Sequence, residues 1–431
     1  MNQMPYVNIP EHKEVARKTP IEVFPDPKTA IVLTYQHAGK PNMPIVKVGE
    51  TVAIGQKIAG SKEKISAPVH SPVSGKVVKI GHIYNHCYEE CSEAIFIEND
   101  GKKTKDKALQ PIFEAELEKT PNDVLLKIIR EAGIIGLGGA GFPTHIKLSP
   151  PTDFPIKNLV VNASESEPYN SADERLIIEK TDNIVRGVRV IRKILGNPKV
   201  TLATEFSKIE AVSKLQAAFA NEPDAKVVAG HFSYQQGDAS GLQKALFHYE
   251  ASPDKHSYEM GTIVQNVATV NAVANAVFQG EPLISLVTTL NGDVSQPKNL
   301  LVKIGTPVSD ILGQNNVNTS DLRCVVIGGV MMGHSIPTVE SPVTKRTSSI
   351  IVFAQSKYKP TKREIACIHC SECIRSCPVR LHPILIYNAV KKGHMDKARA
   401  LWINDCIACG ICSYVCPSGI PLAHIISLSR L

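Results

Sequence analysis

The stretch CIHCSECIRSCP at 367–378 is echoed by CIACGICSYVCP at 406–417. Eight of the eleven cysteines thus fall in two runs of one spacing, Cys367-x2-Cys370-x2-Cys373-x3-Cys377-Pro378 and Cys406-x2-Cys409-x2-Cys412-x3-Cys416-Pro417. Each iron of a 4Fe-4S cube wants a thiolate. Three close cysteines hold three corners, and the distal cysteine of the other run fills the fourth. The expected ligand sets are therefore Cys367, Cys370, Cys373 and Cys416 for one cluster, and Cys406, Cys409, Cys412 and Cys377 for the other. Zinc knuckles and disulfides are the alternatives, but zinc sites use pairs of ligands rather than this rhythm given twice. His369 lies inside the first run, and with eight thiolates already present it is expected beside a cluster or in solvent.

The cysteines also bound the compartment, because so many thiols beside iron survive only in reducing surroundings, in the cytoplasm or at a cytoplasmic membrane face. The opening MNQMPYVNIPEHKEVARK has no apolar core of signal-peptide length, and nowhere do about eighteen apolar residues run together. A membrane is therefore expected beside the chain, not around it. The 431 residues suffice for about three or four domains, and the formal charge of +7 is mild. Basic residues gather near the cysteines: Lys357, Lys359, Lys362, Arg363, Arg375, Arg380, Lys391, Lys392, Lys397 and Arg399. That stretch has no aromatic interleaving and the chain has one Trp, which argues against nucleic acid. The basic residues read either as a solvated face or as a docking surface for an acidic redox partner.

After an arm marked by Pro10, Pro20, Pro25 and Pro27, the runs IVKVGETVAIGQKIAG and ISAPVHSPVSGKVVKIG alternate Val and Ile with polar residues between glycines. This predicts a small strand-rich sandwich. It resembles the lipoyl or biotinyl carrier fold, with Lys64 near the offset of the modified lysine. Glu63 and Ile65 fit neither carrier motif, so a structural role is expected. His82, His86, Cys87 and Cys91 place four soft ligands within ten residues, on an expected strand and without a C-x2-C pair. Metal binding and plain buried or surface thiols both stay open.

Gly136-Leu-Gly138-Gly139-Ala-Gly141-Phe142-Pro143-Thr144 contains G-x-G-x-x-G. An NAD fingerprint of the ordinary Rossmann kind follows a strand. Here Val124, Leu125, Ile128, Ile129 and Ala132 recur at helical spacing just before the loop. What remains is a loop whose amides can approach a phosphate or a flat ring, with Lys147 nearby as a point charge. A strand-like Asn158-Leu-Val-Val-Asn162 then ends in Ala163-Ser164-Glu165-Ser166-Glu167-Pro168-Tyr169. Such carboxylates are either solvated or accept hydrogen bonds from a ribose or a flavin edge.

GLGGAGFPTHIK followed by VNASESEPY resembles the flavin- and NADH-binding subunit of respiratory complex I, and still more the C subunit of the Rnf electron-transport complex. The resemblance takes in VKVGETVAIGQKI, SAPVHSPVSG, VQNVAT, LNGDV and the terminal cysteine runs, and so spans essentially the whole chain. It implies an α/β multidomain protein: a barrel-sandwich hybrid at 1–110, a Rossmann-like FMN/NADH domain at 111–255, a β-grasp (SLBB) module at 256–354 and a helical ferredoxin-like domain for two 4Fe-4S clusters at 355–431. It further implies FMN held by Gly136, Gly138, Lys147, Asn162, Ser164, Glu165 and Ser166, with Gly139 and Gly141 around it. Phe142 and Glu167 stand where the family stacks and hydrogen-bonds NAD(H), and Gln265 and Asn266 match a pair near the flavin phosphate. The family's glycine followed by glutamates is here Gly237-Asp238-Ala239-Ser240, which leaves the electron donor open.

The implied circuit runs from NADH to FMN, to the clusters and to a partner protein, with no proton-abstracting side chain. The partner is expected to be membrane-bound Rnf subunits, with the chain peripheral on the cytoplasmic face. The alternatives are a soluble relative feeding proline reductase or a cobalamin reductase, or a cluster-bearing adaptor with a vestigial nucleotide site. The chain stops soon after the last cluster motif, without the long Ala- and Lys-rich tail of some Rnf C subunits; short forms exist too.

Overall fold

The computed structural model describes residues 7–248, 255–359 and 363–430; Lys362 of the basic run lies outside them. Alternation builds the first module. Thr29–Leu33, Glu90–Asn99, Gly75–Asn85 and Thr51–Val52 form one antiparallel sheet in that order, and Met43–Pro44, Lys57–Gly60 and Val69–His70 form another. Ala30, Val32, Val77, Ile95 and Ile97 from the first pack with Ile58, Ala59 and Val69 from the second in one core. The arm before this sandwich goes elsewhere: Ile21–Val23 pairs in parallel with Lys298–Lys303 of the third module.

The central domain is a parallel sheet ordered Ala225–Gly230, Lys199–Glu205, Asn158–Asn162, Thr262–Asn266. Leu159, Val161, Leu202 and Ile263 share the large core with helices Thr181–Ile194 and Val267–Gln279, while Val160, Ala203 and Val264 pack with Leu242 of helix Ala239–Phe247. Burial on both faces explains the unbroken apolar run of Leu159–Val161. The two long helices meet at Gly187, where a Cβ would lie 2.1 Å from the Val270 carbonyl oxygen. Residues Asn122–Glu131 are helical, so a helix does precede the glycine loop. The boundary expected at 255/256 falls too early. Thr262–Asn266 completes this sheet and helix Val267–Gln279 packs on it, so the central domain runs to Gly280.

The third module is a mixed sheet ordered Ile21–Val23, Lys298–Lys303, Ser285–Gly292, Ser349–Ala354, Leu322–Ile327, His334–Ser335, with helix Val308–Gln314 in the same core. The last module is made of short helices. Pro383–Lys391, with proline in its first turn, and Leu422–Leu428 pack through Ile386 and Ile426, and Met395–Ala400 lies between the cysteine runs. No helix among the described residues is long and apolar enough to cross a membrane.

His37, His70, His86 and His145 are all buried, and desolvation holds their imidazoles at about 4, 3, 4 and 4; nearby Lys345 pushes His37 and His70 further down. An unfolded imidazole takes up its proton near 6.5. Between that pH and about 4 the unfolded chain therefore binds more protons, and these sites weaken the fold as pH falls. In thermal melts, His70→Gln should lose less Tm than the parent between about pH 6.5 and pH 4.5.

Candidate functional site

Asn162 and Asn266 stand side by side at the carboxyl ends of neighbouring central strands, the position where open α/β sheets form ligand crevices. Asn266 caps the 13-residue helix Val267–Gln279, accepting from the Ala268 and Thr269 amides, and donates its own amide to Asp173 at 2.7 Å. The glycine loop lies against it. A Cβ at Gly138 would be 3.1 Å from that of Asn266, the Leu137 amide donates to Thr269, and the Gly136 amide bonds the Phe142 carbonyl. Gly139 and Gly141 have φ of 113° and 65°, which only glycine tolerates readily, and open space lies where a side chain at Gly139 would stand.

Asn162 accepts from the Ser164 amide and hydroxyl and donates to the Gly237 carbonyl at 2.8 Å. The Ser166 hydroxyl fills the space a Cβ at Gly237 would need. The segment that departs from the family pattern thus packs on the strand end itself. Its Asp238 caps helix Ala239–Phe247, accepting from the Ser240 and Gly241 amides, so that carboxylate is engaged within the fold. Glu165 is engaged as well. It accepts from the Asp173 and Glu174 amides and pairs with Lys208 at 3.5 Å, and its carbonyl receives the buried Lys13 ammonium. Of the strand-end acids it is Glu167 that faces inward with unusual electrostatics. Burial raises its pKa to about 7 although the Met331 and Met332 amides donate to it, with the Tyr234 hydroxyl 3.4 Å away.

Among the described residues, Gln265 and Lys147 have no side-chain partner. Gln265 is fully buried with neither amide atom hydrogen-bonded, and desolvation alone brings Lys147 down to about 8. With Lys147 following the open glycine loop in the chain and Gln265 preceding the capping Asn266, this set of residues fits an anionic planar ligand such as FMN.

The eight run cysteines divide between two cavities. Cys367, Cys370, Cys373 and Cys416 line one, with Ile368, Leu385 and the exposed His369 at its margin. Cys377, Cys406, Cys409 and Cys412 line the other. Left-handed backbone at His369, Ser371, Ala408 and Gly410 curls each run, and the His369, Leu381 and Ala408 amides donate to the sulfurs of Cys367, Cys377 and Cys406. Burial pushes Cys373, Cys377 and Cys412 upward and Cys409 up to about 12. Thiols in such apolar holes become thiolates only beside compensating metal charge, so the donor set fits iron–sulfur clusters.

The second cavity abuts the strand-end crevice. The Tyr234 hydroxyl reaches the Cys409 carbonyl at 3.0 Å, and the Met331 carbonyl lies 2.8 Å from where a Cβ at Gly410 would be. Tyr234, Asp173, Lys13, Lys208 and Arg346, whose guanidinium holds the Gly139 carbonyl at 2.8 Å, carry no motif that sequence reasoning could use. The glycine-rich Gly328-Gly329-Val330-Met331-Met332-Gly333 is the one readable signal of this neighbourhood. His82 and Cys91 are exposed while His86 and Cys87 are buried, and the Cys87 sulfur sits 3.4 Å from the Thr344 hydroxyl. Lys64 is on an exposed bend between two short strands.

Family models match this chain as an RnfC barrel sandwich hybrid domain (residues 6–102), a Nuo51 FMN-binding domain (129–275) and a 4Fe-4S dicluster domain (366–420). The class is thus that of proteins joining an FMN-binding domain to a pair of 4Fe-4S clusters. The C subunit of the proton-translocating ferredoxin:NAD(+) oxidoreductase complex of Clostridium ljungdahlii is 36% identical over 87% of this chain and 81% of its own length. The C subunit of the Na(+)-translocating ferredoxin:NAD(+) oxidoreductase complex of Acetobacterium woodii is 32% identical over 91% and 88%. The C subunit of the ion-translocating oxidoreductase complex of Serratia proteamaculans is 36% identical over 91% of this chain, which spans 56% of that relative's length. The chain belongs to this family of ion-translocating oxidoreductase C subunits. Among solved structures, an NAD+-reducing [NiFe]-hydrogenase in the H2-reduced state aligns with 75% of this chain and 65% of its own at 18% identity and a TM-score of 0.49.

Because Asn266 joins the helix cap to Asp173, Asn266→Ala should cost about 1 kcal/mol or more in chemical denaturation, from loss of the cap.

Proposed function

We propose that this chain carries electrons between NAD(H) and partner proteins by way of FMN and two 4Fe-4S clusters, as the peripheral C subunit of an ion-translocating ferredoxin:NAD+ oxidoreductase complex. The observation that carries this reading is the four-and-four division of the cysteines between two cavities, one of them against the crevice of an FMN-binding domain. The relatives' own names, as C subunits of such complexes, support the partners and the nicotinamide substrate. The cytoplasmic side of the membrane is the proposed place, in keeping with the abundance of iron-binding thiols.

When bound, FMN supplies the conversion of a hydride's electron pair into single electrons, and the clusters carry them one at a time. The residues divide the remaining work. Lys147 and the cap of Val267–Gln279 are read as the phosphate side of the site, supported by the unpaired ammonium and the neighbouring glycine amides. Gly136, Gly138, Gly139 and Gly141 let a ring approach the backbone. Asn162, Ser164, Ser166 and Gln265 face it from the strand ends, Gln265 with two unused amide atoms. Glu165 contributes by fixing the strand end, since its carboxylate already has three donors. Phe142 and Glu167 are read on the nicotinamide side; Glu167 binds the nucleotide through hydrogen bonds and is not needed as a base.

Cys367, Cys370, Cys373 and Cys416 are read as ligands of one cluster and Cys377, Cys406, Cys409 and Cys412 as ligands of the other, the near one. The 281–354 module is read as a β-grasp of the SLBB kind, supported by its mixed sheet with parallel central strands Ser285–Gly292 and Ser349–Ala354 and its single helix.

Anaerobic stopped-flow mixing with NADH should bleach the flavin band and then the cluster band; clusters reduced by dithionite but untouched by NADH would overturn the dehydrogenase reading. Lys147→Met should weaken FMN binding roughly 10- to 100-fold, the value of one charged hydrogen bond, measured by quenching of flavin fluorescence.

A further inference from the structure

We infer that Tyr234 and Gln235 are positioning residues that clamp the near cluster onto the flavin domain; this rests on the flavin-to-cluster reading above. They are neighbours on the short turn Tyr234–Gln236, and each holds a carbonyl from a different cysteine run. The Tyr234 hydroxyl donates to the Cys409 carbonyl at 3.0 Å, and the buried Gln235 amide donates to the carbonyl of Ser376, the residue before Cys377, at 3.1 Å. Cys377 and Cys409 line the same cavity, so two adjacent side chains grip both halves of one ligand set. Among the described residues, no side-chain bond of this kind runs from the central domain to Cys367, Cys370, Cys373 or Cys416.

The grip is tied back to the crevice. Tyr234 lies 3.4 Å from a Glu167 carboxylate oxygen, Glu167 takes the Met331 and Met332 amides, and the Met331 carbonyl presses on Gly410 between Cys409 and Ile411. Gln235 in turn accepts from the Val7 amide of the N-terminal arm. The near cluster's loop is thereby fixed to the strand end rather than carried on a free domain.

Two effects follow. The first is distance. When bound, FMN would supply electrons for single-electron transfer to the near cluster, and Tyr234 and Gln235 would fix the separation of the two centres by holding the Cys409 and Ser376 carbonyls. The rate of that step depends on how closely the two centres are held. The second is potential: an O–H dipole aimed at the Cys409 peptide favours the more negative, reduced cluster.

The test uses the full chain loaded with FMN and iron–sulfur clusters, as Gln235→Leu and Tyr234→Phe. For Gln235→Leu we expect NADH to bleach the flavin at the parental rate while the following cluster bleaching slows about tenfold, within the range that a small misplacement costs. For Tyr234→Phe we expect an EPR-monitored dithionite titration to give a lower midpoint for the near cluster, identified by its loss in Cys409→Ser, with the far cluster unchanged. Unchanged cluster bleaching in the first variant together with unchanged midpoints in the second would overturn the inference, leaving the contacts as mere fold stability seen in Tm. Should Gln235→Leu not fold, the Tyr234→Phe midpoint decides alone. If NADH fails to bleach the flavin of the parent, the functional reading fails instead, and the dithionite titration still judges the clamp.

Discussion

A single buried ammonium ties three modules together. Lys345, 1% exposed, comes from the third module and donates to the Pro68 carbonyl of the sandwich and the Gly133 carbonyl just ahead of the glycine loop, both at 2.7 Å. Its own amide donates to Gln36. Among the described residues no carboxylate offsets it, and desolvation lowers its pKa to about 7, with the two carbonyls receiving its hydrogen bonds. Gly133 has φ of 68°, and a Cβ there would come within 2.8 Å of the ammonium. The next residue, Arg346, extends the junction by holding the Gly139 and Cys87 carbonyls. The glycine loop therefore takes its shape from neighbours in two other modules, and its readiness for a ligand is a property of the assembled chain.

The strand end beyond the loop is organised the same way, by charges placed where water is absent. Lys13 and Lys208 are buried on the carbonyls of Glu165 and Ser164, and the Glu165 carboxylate offsets them while capping helix Ala172–Glu179. This scaffold is costly to desolvate and rigid once formed. It leaves Asp173 between Asn266 and Glu165, its carboxyl pushed upward by burial and by the Glu165 charge. Rigid polar scaffolding suits a site whose work is to hold a ring and change its charge without moving.

The cysteine module obeys the opposite rule. Its holes are lined by Ile, Leu and Pro side chains, which raise thiol pKa values and deny the free thiolates any solvation. Iron and folding are coupled there, because metal charge supplies what the apolar lining withholds. Polar bonds from Tyr234 and Gln235 of the central domain come at one of the two cavities, which makes it the inner one. Ile368 and Leu385, both exposed, border the outer one.

Much of this is legible locally. The cysteine spacing, the alternation of the sandwich, the helix before the glycine loop and the apolar Leu159–Val161 strand are short-range patterns, and each forms where its periodicity places it. The central domain outruns the boundary expected near residue 255 because Thr262–Asn266 joins its sheet beside Asn158–Asn162, a pairing over about a hundred residues that no local signal carries. Glu165 reads locally as a ligand-facing acid, yet its role depends on Lys208 and on the Asp173 and Glu174 amides, which the fold alone brings to it. Adjacent residues alone carry the two cysteine runs and a glycine loop beside an acidic strand end, because spacing and backbone freedom are local properties. Which cysteine cavity lies next to the crevice and how each acid is engaged within the fold emerge from the tertiary structure, because both depend on hydrogen bonds such as Tyr234 to Cys409 that span distant parts of the chain.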